Sequence, residues 1–258
     1  MVTEKGVNLL HKNENDRKCL INSKDYWSFR SKYYDKTNWV RDLSFLNSLL
    51  SLLPHNSYKS VLDVGVGTGV VAEALISKSR RIFGIDISEE MMKNLDKRIS
   101  KIVADAHFLP FKENIFDLIV MRNVLHYLND PKAVFAEIKR CLFRGGGFLF
   151  AMVIPFEDEI SEEYDWLIGR DIHYPTKSEI LLLFKSFKIL RVKEFILKSQ
   201  SIMNWLNNTV NNEDKKKEIF QRHLNASDLY KRLVSFVTKD GDIFVDIKHL
   251  MIFAQNEV

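Results

Sequence analysis

Between Ser60 and Ile154 short apolar runs alternate with longer amphipathic stretches, and few folds accommodate that pattern. Ser60 to Val64, Arg81 to Ile87, Lys101 to Ala104, Phe116 to Met121 and Phe148 to Ile154 are apolar through most of their length rather than at every second position. A strand with one wet face alternates, whereas a strand covered on both faces does not. These five therefore read as parallel strands buried between helix layers. Val70 to Ser79, Glu89 to Ile99 and Pro131 to Leu142 carry apolar residues at helical spacing and would supply the crossovers. The expected class is α/β, a doubly wound sheet.

Around this centre, Trp27 to Leu53 predicts two helices ending at Pro54, with Phe29, Tyr33, Trp39, Leu43, Phe45 and Leu49 at mostly helical spacing. Met1 to Asp25 is polar and aperiodic and is expected to be loosely attached. Downstream, Thr176 to Lys185 predicts a helix, Phe187 to Lys198 a strand, and Ser199 to Lys239 a polar, helical stretch. The turn signal Lys239-Asp240-Gly241-Asp242 then opens a final strand running to Ala254.

The 258 residues suffice for one sizeable core, and 46% hydrophobic with 28% charged residues is globular composition. The net charge of +4 is spread without a Lys/Arg block, which argues against a nucleic-acid partner. Cys19 and Cys141 form no CxxC pair and have no His-rich company, so neither a disulfide framework nor a metal site is expected. The N-terminus lacks the apolar centre of a signal peptide, and no apolar run approaches the ~18 residues of a membrane span. A cytoplasmic setting is expected, and the Asn-x-Ser/Thr matches at Asn207 and Asn225 read as chance.

The chemistry concentrates in Val61-Leu62-Asp63-Val64-Gly65-Val66-Gly67-Thr68-Gly69, where the first strand should end and a helix begin. Glycines there let the backbone turn sharply and approach a ligand with no Cβ in between. The spacing is GxGxG rather than the GxGxxG of dinucleotide sites, and Asp63 stands two residues before the first glycine. A carboxylate is unhelpful to a pyrophosphate but suits a cationic sulfonium or amino group in a partly desolvated cleft. This pattern favours S-adenosylmethionine.

Asp86 ends the second strand 21 positions after Gly65, where an acid can accept ribose hydroxyls, and Asp105 follows the third. Taken singly, each also reads as a helix-capping or turn aspartate. Three acids at three successive strand ends point to one ligand, because open α/β sheets bind theirs outside those ends.

With these motifs the chain resembles class I S-adenosylmethionine-dependent methyltransferases, in the broad group that includes ubiquinone and menaquinone biosynthesis methyltransferases. The resemblance covers roughly residues 58 to 155. It rests on Leu62 to Gly69, Gly84-Ile85-Asp86-Ile87-Ser88 with Met91, and Asp105-Ala106 before Leu109-Pro110-Phe111. It continues through Phe116 to Val120, Asn123 to Leu128 with Asp130-Pro131, and Gly145-Gly146-Gly147. It implies a Rossmann-like seven-stranded mixed sheet whose last strand is antiparallel. It further implies that Gly65, Gly67 and Gly69 line the methionine and ribose portion, that Asp86 holds the ribose, and that Ile87 and Met91 pack near the adenine. Asp105 and Ala106 would meet the adenine edge, and Arg122 would border the methionine. Where many relatives have Lys-Pro-Gly-Gly, this chain has Phe143-Arg144-Gly145-Gly146, a change in a turn.

One domain is expected: an N-terminal helical extension over 1–55, a donor-binding core over 56–155, and acceptor-side elements over 156–258 with a helical insertion at about 199–239. Methyl transfer is an in-line displacement, so the protein chiefly aligns the reactants and excludes water. For a hydroxyl or acidic-carbon acceptor a base helps; His126 is the first candidate and His173 the second. Either also reads as a non-catalytic histidine, one packed beneath the loop and the other on the surface. Aromatics of the N-terminal helices (Trp27, Phe29, Tyr33, Tyr34, Trp39) and of the insertion (Met203, Trp205, Leu206, Phe220, Tyr230) mostly read as packing, with some lining an apolar acceptor pocket. A small-molecule acceptor is therefore expected, yielding S-adenosylhomocysteine as product. The rival readings are an RNA or tRNA methyltransferase, a non-catalytic S-adenosylmethionine-binding protein and an NAD oxidoreductase. The fourth-strand exit, Met121-Arg122-Asn123, has neither the Asn-Pro-Pro-Tyr of an exocyclic-amine methyltransferase nor a Pro-Cys nucleophile.

Overall fold

The apolar runs pair side by side, as two-sided burial requires. The computed structural model describes residues 24–170 and 172–257; residues 1–23, with Cys19 and most of the tract expected to be loosely attached, lie outside them. Strands β1 (Tyr58–Val64), β2 (Ser79–Asp86), β3 (Ile99–Val103), β4 (Phe116–Arg122) and β5 (Leu142–Val153) are parallel. The sheet order is β3-β2-β1-β4-β5-β8-β6. Strand β8 (Asp242–Gln255) lies antiparallel between β5 and β6 (Lys188–Ser201), and the short β7 (Val237–Lys239) forms a hairpin with it. The implied seven-stranded mixed sheet is thus present, with one added hairpin strand.

Both faces are covered, and strand geometry divides the residues between them. Phe148 and Phe150 pack into one core with Val134, Phe135 and Ile138 of helix α4 (Pro131–Cys141). Their neighbours Leu149 and Ala151 face the opposite core, with Phe45 and Leu49 of α2 (Leu43–Leu50) and Val71 of α3 (Val70–Ala74). Each fully buried side chain of this size contributes roughly 1.5–3 kcal/mol relative to exposure. Helix α4 starts where its sequence signals a start: Asp130 accepts the Ala133 N–H at 3.1 Å and Pro131 occupies the first turn.

A third, smaller core holds the elements after β5 together. Leu167 of α5 (Ser161–Ile168) packs with Trp205 and Leu206 of α7 (Ile202–Thr209), Ile219 of α8 (Glu213–Leu224) and Tyr230 of α9 (Asp228–Leu233). The insertion before the last strand is thereby a packed helical cap. Helix α1 (Lys24–Tyr33) lies against α7.

One expected element is missing. Glu89 to Ile99 is a chain of turns, bonded Met92 N–H to Glu89 O, Leu95 N–H to Met92 O and Ile99 N–H to Asp96 O. Its apolar residues mimic helical spacing because Met91 and Met92 are buried while Lys93 and Asn94 are exposed. Local three-residue closures win because Asp96 takes both the Arg98 backbone N–H and its guanidinium, and β3 begins two residues earlier than expected. Two further boundaries shift: α3 ends at Ala74 instead of Ser79, and β5 begins at Leu142, taking in the glycine triplet. Helix α6 (Lys177–Leu183) carries the capping box of Thr176 and Glu179.

Candidate functional site

The chain leaves β1 toward β2 and β3 on one side and later fills β4 and β5 on the other. Crossovers diverge at that switch point and leave a crevice beyond the strand ends. A cavity of about 260 Å³ opens there, lined by Gly65, Gly67, Asp86 and Asp105 at the tips of β1 to β3, by Arg122 at the end of β4 and by Val124 just after it.

Gly65 is where the crevice depends most on glycine. Its φ is +70°, and a Cβ would come within 2.3 Å of Val124 Cγ2. The backbone N–H of Gly67 donates to Asp86 Oδ2 at 2.9 Å, and that of Ser88 to Oδ1 at 2.9 Å. Burial raises the Asp86 pKa, opposed by these backbone bonds. Each oxygen keeps a lone pair for a further donor, so the acid can still accept hydroxyls.

Asp63 lines the cavity yet is only 3% exposed, and its Oδ2 accepts the Ala72 N–H of α3 at 3.1 Å. Burial pushes its pKa to about 7, against the pull of that bond and of Arg122. It braces the helix as much as it faces the cleft. The Arg122 guanidinium donates to the carbonyls of Val40 (2.8 Å) and Trp39 (3.3 Å) and lies 4.3 Å over the Phe45 ring. Asp105 is joined by His107, whose Nδ1 stands 2.6 Å from Oδ1. Because Nε2 accepts the Asp130 N–H, the His107 proton sits on Nδ1.

Ile87, Met91 and Ala106 also line the cavity, so ten of the residues singled out in the sequence meet in one place: Asp63, Gly65, Gly67, Asp86, Ile87, Met91, Asp105, Ala106, Arg122 and His126. Gly69 and His173 are not among the lining residues. Gly69 caps α3 at φ +86° and packs toward Leu95. His173 binds Asp165 at 2.6 Å and Glu179 at 3.0 Å, with its side chain 52% exposed. Those partners, Asp165 foremost, raise its pKa to about 9, against partial burial. It is a salt-bridged histidine rather than a base poised at the cleft.

The far half of the cavity is aromatic. His126 stacks on Tyr174 with centroids 4.6 Å apart and lies 3.9 Å from the Tyr127 ring. Burial, then the charges of Arg170 and Arg30, hold its pKa well below the usual value, so the imidazole is neutral. Trp27, Tyr34, Trp39, Trp205 and Tyr230, five of the aromatics named from the sequence, line the cavity; Phe29, Tyr33 and Phe220 do not, nor do Met203 and Leu206. Sequence reasoning missed Arg30, Tyr127, Tyr164, Arg170 and Tyr174. The Arg170–Tyr26 pair is separated by 144 residues and leaves no local signal.

These residues fit an adenosyl donor: a backbone cradle that a Cβ at Gly65 would close, an acid with spare acceptor capacity, and a polar edge at Asp105. Among the described residues no cluster of His, Cys, Asp or Glu could hold a metal ion, and no helix is long and apolar enough to cross a membrane.

Fold and cleft together define a Rossmann-like protein with a nucleotide-type crevice. Residues 62–150 match the family described as "Methyltransferase domain". MJ1123 of Methanocaldococcus jannaschii, called uncharacterized, is 31% identical over 164 residues, covering 63% of this chain and 73% of that protein. The mouse arginine-hydroxylase NDUFAF5 is 40% identical over 95 residues, 35% of this chain but only 28% of that protein. The Thermotoga maritima demethylmenaquinone methyltransferase is 32% identical over 131 residues, 47% of this chain and 57% of that protein. The crystal structure of BH2331 from Bacillus halodurans superposes with a TM-score of 0.75 at 20% identity, covering 83% of this chain and all of that one, a likeness of fold. The chain belongs to the class I S-adenosylmethionine-dependent methyltransferases.

Proposed function

We propose that the acceptor is a small organic molecule, seated in the aromatic half of the cavity and methylated by in-line displacement. The observation that carries this reading is continuity: Gly65 and Asp86 line the same cavity as Tyr127 and Trp205. A bound donor supplies an already activated sulfonium methyl group, which leaves alignment and water exclusion to the protein. Gly65 and Gly67 admit the donor backbone-close, Asp86 accepts ribose hydroxyls, and Arg122 faces the methionine end. Ile87 and Met91 flank the adenine, while Asp105 and Ala106 meet its edge. On the acceptor side Trp27, Trp205 and Tyr230 exclude water. His126, neutral and with Nδ1 lacking a hydrogen-bond partner among the described residues, is positioned to take a proton from an acceptor.

The test is incubation with methyl-labelled S-adenosylmethionine and cell extract, separated into dialysable and macromolecular fractions, with Asp86→Ala as control. Label in the dialysable fraction supports the proposal. Label confined to protein or RNA refutes it.

A further inference from the structure

Two arginines lining the cavity carry no acidic partner among the described residues. Arg30 is 7% exposed, and its Nη1 donates to the Asn208 carbonyl and to Thr209 Oγ1, both at 2.9 Å. Among the described residues Arg170 donates only to phenols: Nη1 to Tyr26 Oη at 2.6 Å and Tyr127 Oη at 3.3 Å, Nη2 to Tyr174 Oη at 2.6 Å. Neither guanidinium forms an ion pair among the described residues, whereas Arg41, Arg98, Arg140 and Arg222 all do. The Nε atoms of both are buried and have no hydrogen-bond partner among the described residues. Burying an unneutralised cation is costly, and two sharing one chamber are costlier, unless an anion joins them.

Resting on the small-molecule reading above, we infer that the acceptor carries a carboxylate gripped between Arg30 and Arg170, with its apolar body among Trp27, Tyr127 and Trp205. The donors left without a partner among the described residues favour a carboxylate over a phosphate. They comprise Arg30 Nε and Nη2 and Arg170 Nε, a set that suits two coplanar oxygens better than three tetrahedral ones. Tyr127 and Tyr174 add to it, since a phenol whose oxygen accepts from Arg170 retains its own proton to give. The local field has the right sign. After burial, the same two guanidiniums are what depress His126, and on Tyr127 their charges, together with its hydrogen bonds to Tyr26 and Arg170, outweigh burial and lower the phenol. The carboxylate is the anchor, since its lone pairs are engaged by donors, and the methylated atom lies elsewhere on the molecule.

The test titrates protein saturated with S-adenosylhomocysteine with benzoate, benzamide and phenyl phosphate by calorimetry. It is repeated for Arg30→Gln, Arg170→Gln and Arg170→Lys. Benzoate should bind at least tenfold tighter than benzamide and tighter than phenyl phosphate. Either glutamine variant should erase the preference over benzamide, and Arg170→Lys should keep part of it. Affinity for S-adenosylhomocysteine should change less than threefold in each variant, which also reports correct folding. Equal binding of benzoate and benzamide overturns the proposal, as does a preference that survives both glutamine variants. Preference for phenyl phosphate overturns the carboxylate assignment. A selective loss of S-adenosylhomocysteine affinity hands the guanidiniums to the donor's own carboxylate. Failure of the unsubstituted protein to bind S-adenosylhomocysteine instead defeats the donor-site reading.

Discussion

The Gly67 backbone N–H donates to Asp86 Oδ2 at 2.9 Å, tying the glycine loop after β1 to the tip of β2. The acid expected to hold a ribose thus also sets the loop that faces it, so its removal acts twice. Asp86→Ala should weaken S-adenosylhomocysteine binding by tenfold or more, since a hydrogen bond to a charged group contributes about 1.5–3 kcal/mol. Calorimetry measures this, and unchanged affinity would remove Asp86 from the donor site.

Gly65→Ala places a Cβ 2.3 Å from Val124 Cγ2 at a φ of +70°. Left-handed backbone alone costs an alanine about 1–2 kcal/mol. The variant should melt several degrees lower and bind no donor, whereas Gly241→Ala, with no atom within 4 Å of its Cβ, should bind it normally. Thermal scans with and without S-adenosylhomocysteine read both effects.

Asp63 makes stability depend on pH. Its pKa rises from 3.8 to about 7 on folding, chiefly by burial. Between those values the folded state holds the extra proton, so this group's contribution is full below the unfolded pKa and is lost as pH rises through the folded one. Asp63→Asn keeps an oxygen for Ala72 and cannot ionise. Compared by denaturant titration at pH 5 and pH 8, the native chain should lose on the order of 1–3 kcal/mol more than the variant over that range. Identical slopes would show that Asp63 ionises freely.

The two histidines should separate cleanly. His126→Gln should lower kcat by about 10²-fold or more if the imidazole removes a proton, and His173→Gln should leave it unchanged. The raised pKa of His173 stabilises the fold below the unfolded value of 6.5, an effect lost as pH rises through about 9. Being half exposed, that pair is worth about 1 kcal/mol at most. Because His126 is neutral throughout this range, kcat/KM should show no inflection near pH 6.5 from it. Such an inflection, lost in His126→Gln, would contradict the buried environment described above.

Much of this was legible along the chain. Buried parallel strands announce themselves by apolar runs, and the glycine loop by composition, because both depend on properties of adjacent residues. The turns at Glu89 to Ile99 carry a helix-like pattern, since burial of Met91 and Met92 and half-burial of Leu95 follow the same spacing without the helix. Gly69, the last glycine of the motif, and His173, in the connection after β5, are not among the lining residues, because the fold sets one against Leu95 at the start of α3 and pairs the other with Asp165.

By itself the sequence determined the sheet, the switch point and the acids at three strand ends, all written in local pattern. Only the tertiary structure decided the aromatic, arginine-bearing part of the cavity. Arg30, Tyr127 and Arg170 come from an N-terminal helix, the exit of β4 and the end of α5, and they meet there because separate hydrophobic cores dock those elements. Charge without a partner is a property of three-dimensional neighbours, which no one-dimensional spacing records.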